Sequence, residues 1–240
     1  MNSLYLLLDG LTILFPLLLS FDKKVAFYKT WKYLFYGFLL VGVPFIIWDV
    51  VFTSMEVWGF NGDYLTGINF YNLPIEEVLF FVVVPFACTF IYACVKAYFP
   101  KLRLTGFNRV FYALLAIYAI AVMLFGFGGY YSTIAGLLAI LTIPLLGKLK
   151  TNLRFLPLSF IIALVPFFIV NGILTGTGLE EPIVWYNDAE NAGIRFFTIP
   201  MDDIVYAWTL LAGNIAAYQY FMDKGESKKK KYKKKKKKVN

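Results

Sequence analysis

The chain has 240 residues, of which 60% are hydrophobic, 20% aromatic and 16% charged, and its mean hydropathy is +0.66. Soluble domains carry about 45–50% apolar residues, so this composition excludes a disordered chain and argues against an ordinary soluble globule. The net charge of +8 comes from a basic tail with ten lysines in Lys228–Lys238, and the absence of histidine removes the commonest general base and metal ligand.

Seven apolar runs are long enough to span a bilayer: Ser3–Ser20, Trp31–Phe52, Pro74–Ala97, Arg109–Phe125, Tyr130–Leu146, Phe155–Thr175 and Pro200–Met222. The first has no basic leader and carries Asp9, so it reads as a retained span and not a cleaved signal peptide. Cys88 and Cys94 share the third run and read as packing residues. Alternating the loops puts 22 of the 23 basic residues on one side, leaving only Arg195 on the other. The positive-inside rule then places the N-terminus outside and the C-terminus in the cytoplasm. The lysine tail reads as a solvated, disordered segment that enforces topology. Contact with anionic headgroups is the rival reading, which the lack of an accompanying apolar face disfavours.

A shift of 126 residues aligns the two halves without a gap. Asn61 falls on Asn187, Gly67 on Gly193, Pro74 on Pro200, Tyr92 on Tyr218, and the pair Glu76–Glu77 on Asp202–Asp203. Spans one to three overlay spans five to seven, and span four is an unmatched connector. Equivalent helices are four spans apart, so both halves point the same way. The expected fold is all-α and integral to the membrane, a 3+1+3 arrangement of two parallel three-helix repeats and a linker helix. Its units are 1–99, 100–128, 129–222 and the tail 223–240.

Two segments carry the chemistry: Asn72-Leu-Pro-Ile-Glu-Glu and Thr198-Ile-Pro-Met-Asp-Asp. A cap, a first-turn proline and an acid at the positive helix end would explain one acid per helix. Two adjacent acids point about 100° apart, so one of each pair should face the interior. Asp9 and Asp49 lie at similar depth, and intramembrane acids are functional hypotheses by default. These six acids have only Arg195 as a nearby cation and cannot all be paired. A carboxyl held protonated near neutral pH is what a general acid requires. Along the third span Phe80 and Tyr92 read first as packing, with stabilisation of a cationic intermediate as the alternative. Asn61 and Asn187, with Glu190, read as turn caps or as supports for the acids.

Pro74-x-Glu76-Glu77-x-x-Phe80 and its counterpart Pro200-x-Asp202-Asp203 resemble the heterodimer-type lycopene cyclases of bacteria, in the fused single-chain form. Leu4-Tyr-Leu-Leu-Leu-Asp9, Phe45-Ile-Ile-Trp-Asp49 and Trp58-Gly-Phe-Asn61 resemble that family too. The resemblance implies a multi-pass protein of the bacterial inner membrane. It also implies a β-cyclase that closes the ends of linear lycopene by acid–base isomerisation through a carbocation, without cofactor, metal or nucleic acid. Glu76, Glu77, Asp202 and Asp203 would be catalytic. Asp9, Asp49, Asn61, Phe80, Tyr92, Asn187, Glu190 and Tyr206 would support them or bind substrate. The sequence departs from the family pattern at Ala93 and Gln219, where a glutamate follows the tyrosine.

Three rivals fit less well. A 3+1+3 transporter needs a polar midplane site, and here the midplane is apolar. A retinal photoreceptor needs a lysine inside the last span, which has none. A prenyl-adding carotenoid enzyme needs more Asp-rich metal-binding sequence than Asp202–Asp203.

Overall fold

The computed structural model describes the backbone of residues 3–239 and the side chains of residues 3–228. In chain order the helices are α1 (Leu4–Leu19), α2 (Phe27–Ser54), α3 (Ile75–Tyr98), α4 (Thr105–Phe125), α5 (Tyr130–Lys148), α6 (Leu156–Leu174) and α7 (Asp202–Val239). Among the described residues, α2 to α6 are long and apolar enough to cross a membrane, while α1 is apolar but only 16 residues long. Their outer faces stay greasy: Phe15, Ile117, Leu124 and Val165 are all largely exposed. A bundle that shows this much apolar surface is built for lipid, not water.

Local chemistry accounts for the irregularities. Helix α2 opens as a 3₁₀ turn and widens into a π segment at Phe38–Gly42. Pro44 follows it and has no N–H to return to Leu40, so the helix must relax at that point. Where α2 crosses α7, Gly37 and Gly213 bring the backbones together. A Cβ on Gly37 would sit 3.1 Å from the Asn214 carbonyl, and one on Gly213 would sit 3.0 Å from Val41. Small residues at such crossings allow the close approach that membrane helices use for packing.

Two findings differ from the sequence reading. First, the described residues are not purely helical. They include three two-stranded antiparallel ribbons: β1 (Trp58–Phe60) with β4 (Val184–Tyr186), β2 (Asn69–Phe70) with β3 (Leu73–Pro74), and β5 (Arg195–Phe196) with β6 (Ile199–Pro200). They form because the connections leading into α3 and α7 must satisfy their own backbone groups. Second, α7 continues as a helix to Val239, through the segment read as a disordered tail. Lysine is a good helix former and no proline follows Met201, and the helix runs through Gly225 without ending there. The lysine side chains beyond residue 228 lie outside the described residues.

The repeat is written in the backbone. Hairpins β2–β3 and β5–β6 correspond under the 126-residue shift, as do the left-handed residues Tyr71 (φ 58°) and Phe197 (φ 54°) at their tips. In β1–β4 the central pair is Gly59 with Trp185, which are each other's equivalents. Asn61 N–H donates to the Ile183 carbonyl, and Asn187 N–H donates to Val57, the equivalent of Ile183. The two repeats therefore meet about a local two-fold axis beside Gly59, at the end of the bundle where α3 and α7 begin.

Candidate active site

Each acid pair divides between two jobs. Glu77 and Asp203 face inward, and with Asp49 they line one cavity of about 530 Å³ between α1, α3, α6 and α7. Glu76 and Asp202 turn away from it and are fully buried against their own hairpins. Glu76 accepts from Thr66 N–H at 2.7 Å, and Asp202 accepts from Ala192 N–H at 3.1 Å, which is the same bond one repeat later. Asp202 also accepts from the Ser132 hydroxyl. The sequence reading put all four acids in the catalytic set. The structure brings only the second member of each pair to the cavity, because neighbours in a helix point about 100° apart.

The hydrogen bonds of the inward pair also repeat. Tyr5 donates to Glu77 at 2.6 Å, and its equivalent Tyr131 donates to Asp203 at 2.6 Å. Beyond that bond the two sites have diverged. Asp203 takes two more donors, Asn171 at 2.7 Å and Tyr186 at 3.1 Å. The equivalents of Asn171 and Tyr186 in the first repeat are Phe45 and Phe60, which have nothing to donate. Glu77 instead has Asp49 as a carboxyl neighbour. Asp49 accepts from Trp58 Nε1 at 2.5 Å, while its Oδ2 is buried without a partner. Tyr186 lies outside the spans. Burial first, and then the Asp203 carboxylate, push its hydroxyl well above the usual phenol range, so it remains a donor.

Rings surround these carboxyls. Tyr206 packs edge-on to Phe45, Trp58 and Tyr131, and Tyr131 stacks on Tyr186 with centroids 6.0 Å apart. Tyr206 and Phe80, equivalents under the shift, both line the cavity. From Glu77 to Ile91 the lining follows α3 for about 21 Å at 1.5 Å per residue. Beyond the carboxyl end nearly every lining side chain is apolar, and none of the lining residues is Lys or Arg.

The other candidates lie elsewhere. Asp9 is buried on α1 outside the cavity lining, with Oδ2 unpartnered. Asn61 and Asn187 cap turns, accepting from Asp63 N–H at 3.0 Å and Ala189 N–H at 3.1 Å. Glu190 accepts from Tyr130 N–H at 2.8 Å, at the start of α5. Arg195 pairs with the exposed Asp188 at 2.5 Å. Burial works against that carboxylate, but hydrogen bonds from Asn191 and Arg195 outweigh it and hold Asp188 below its usual range. Such an exposed pair contributes little to stability. Tyr92 is not near the acids. It donates to Gln219 at 3.1 Å in a polar knot with Lys96 and Asp223 at the far end of α3. Neither Ala93 nor Gln219 lines the cavity.

The sequence reading missed Tyr5, Tyr131, Asn171 and Tyr186. Tyr5 was legible, because the 126-residue shift lays it on Tyr131. Asn171 and Tyr186 carry no such signal, since their equivalents are phenylalanines and only the folded chain brings them to Asp203.

This fold defines a multi-pass membrane protein whose helices enclose a lipophilic cavity with carboxyls at one end. The sequence profile of the family described as lycopene cyclase matches residues 2–95 and 128–221, two segments that are themselves offset by 126 residues. The chain therefore belongs to the lycopene cyclase family, and its role lies in carotenoid cyclisation. No curated protein and no solved structure matches it.

Proposed function

We propose that this chain is a lycopene β-cyclase with one site, in which the two diverged repeats divide acid and base between them. The observation that carries the reading is that Glu77 and Asp203, equivalent by repeat, meet in the same apolar cavity with different partners. The adjoining carboxyls of Asp49 and Glu77, with no cation beside them, supply the proton. It goes to the terminal double bond of the linear end group and leaves a tertiary carbocation. The internal double bond attacks that centre, the ring closes, and the cation moves to a ring carbon. Asp203, held by three donors, accepts the neighbouring ring proton, and the ring double bond forms. Return of the proton to the donor pair completes a net isomerisation.

The faces of Tyr206, Tyr131 and Trp58 are suited to the passing cation. A cavity of this volume with a single carboxyl end takes one end group at a time, so a two-ended substrate must be turned around between reactions. In this reading the membrane arrangement is the 3+1+3 plan of seven spans, N-terminus outside, in a bacterial cytoplasmic membrane. Reporter fusions at both termini test that orientation, and a cytoplasmic N-terminus would overturn it.

Expression in a lycopene-accumulating bacterial host, with chromatography of the pigments, tests the function. β-Carotene with a one-ringed intermediate is expected, whereas unchanged lycopene from well-folded protein would overturn the reading. Changing Ala93 and Gln219 to glutamate is expected to leave the product and its rate within about twofold, because the cavity reaches neither position.

A further inference from the structure

The two-fold repeat makes the shape of the cavity unexpected. Under that symmetry α1 corresponds to α5 and α6 to α2, yet the cavity runs along the first member of each pair and not the second. Helix α1 lends it six lining residues and α6 eight, while α5 lends only Tyr131 and α2 only Asp49. The wall made by α1 and α6 also differs from the rest in exposure. Ala87, Leu210 and Leu211 on α3 and α7 are 7%, 1% and 3% exposed, as expected for an inner wall. Leu11, Phe15 and Ile169 line the same cavity but are 52%, 66% and 62% exposed. A side chain can do both only where the wall is open to the outside of the bundle.

The packing agrees. Helices α1 and α6 are clamped together at the carboxyl end, where Tyr5 and Leu8 cluster with Leu174. One turn further along, Leu11 belongs to no buried cluster, and nor do Phe15 or Ile169. The opening is apolar. Its one polar side chain, Thr12, spends its hydroxyl on the Leu8 carbonyl at 2.8 Å. It also lies midway along apolar helices, where the surroundings are acyl chains. A polar metabolite would have to leave water to reach it, whereas a linear hydrocarbon dissolved in the bilayer is already there.

We infer that the gap between α1 and α6 is a lateral door through which a linear polyene enters from the bilayer, with Leu11, Phe15 and Ile169 as its jambs. The chain slides in end first, so the apolar length of the cavity holds the polyene behind the end group presented to the carboxyls. This rests on the cyclase reading for the identity of the substrate, but not for the existence of the door.

Leu11→Trp and Ile169→Trp narrow the gap without touching the carboxyls. Each is expected to lower kcat/KM for lycopene in liposomes by roughly tenfold or more, mainly through KM. The control is Leu137→Trp, the same change at the repeat equivalent of Leu11, which is also exposed (46%) but does not line the cavity. It is expected to match the wild type. A second arm needs no turnover: a membrane-partitioning maleimide is added to Phe15→Cys or Leu141→Cys, and adducts are read by mass spectrometry at the substituted position. Excess lycopene should slow modification at position 15 and leave position 141 unaffected. Full wild-type cyclase activity in Leu11→Trp and Ile169→Trp, or no protection at position 15, would overturn the door. Protection at position 15 of the Phe15→Cys chain, alongside a wild-type chain that leaves lycopene uncyclised, would keep the door and overturn the cyclase reading.

Discussion

Glu77→Gln and Asp203→Asn are both expected to remove β-carotene formation, but by different routes. Glutamine keeps the volume of Glu77 and an oxygen to accept from Tyr5, so the fold should survive. What goes is the transferable proton, and general acid catalysis by a positioned group is worth about 10²–10⁴-fold. In this variant the linear substrate should accumulate without any cyclic product, because the cation never forms. In Asp203→Asn the donor pair is intact, so protonation and ring closure proceed. The cation then has no base beside it. It should persist until another ring proton is lost or water adds, giving rings with a displaced double bond or a hydroxyl group. Chromatography with mass detection separates these outcomes. Unimpaired β-carotene from either variant would remove that residue from the site, and the same product profile from both would overturn the division of roles.

The neighbouring residue should behave in the opposite way. Asp202→Ala is expected to spare the chemistry and damage the fold. Asp202 is fully buried and accepts from the Ser132 hydroxyl and the Ala192 N–H, tying α7 to the start of α5 and to the loop before β5. Alanine would leave two buried donors without an acceptor, at about 1–3 kcal/mol each. The space around them is tight: a Cβ on Gly126 would sit 3.1 Å from the Ala192 Cα, so the segment has little room to rearrange. A lower melting temperature in detergent is expected, with the surviving folded fraction retaining its rate per molecule. A variant with normal stability and no product would instead put Asp202 in the catalytic set.

Adjacent acids with opposite fates show where the sequence stops being informative. The apolar runs predict α1 to α6 to within a few residues, for example Tyr130–Leu146 against α5 at Tyr130–Lys148 and Phe155–Thr175 against α6 at Leu156–Leu174, but the last run stops at Met222 while α7 continues to Val239. Hydrophobic length is a local property, so it is readable without contacts. The 126-residue shift is local in the same sense, and it reappears as matched hairpins and matched bonds to Glu76 and Asp202. The short ribbons were not legible. They contain two or three residues each, and β1–β4 joins segments about half the chain apart, so no periodicity announces it.

The sequence alone determined that this chain is built of apolar helices and that its second half repeats its first, and, in a protein without histidine, it pointed to carboxyls as the candidates for proton chemistry. It also required one acid of each pair to face inward, because consecutive helical residues diverge by about 100°. Only the tertiary structure decided which one, since that depends on how α3 and α7 are rotated against their neighbours. It decided too that Glu77 and Asp203 share one cavity. It gave Asp203 the donors Asn171 and Tyr186, and gave Glu77 the company of Asp49. Those partners come from distant helices and loops, and a linear chain does not encode their meeting in any local pattern.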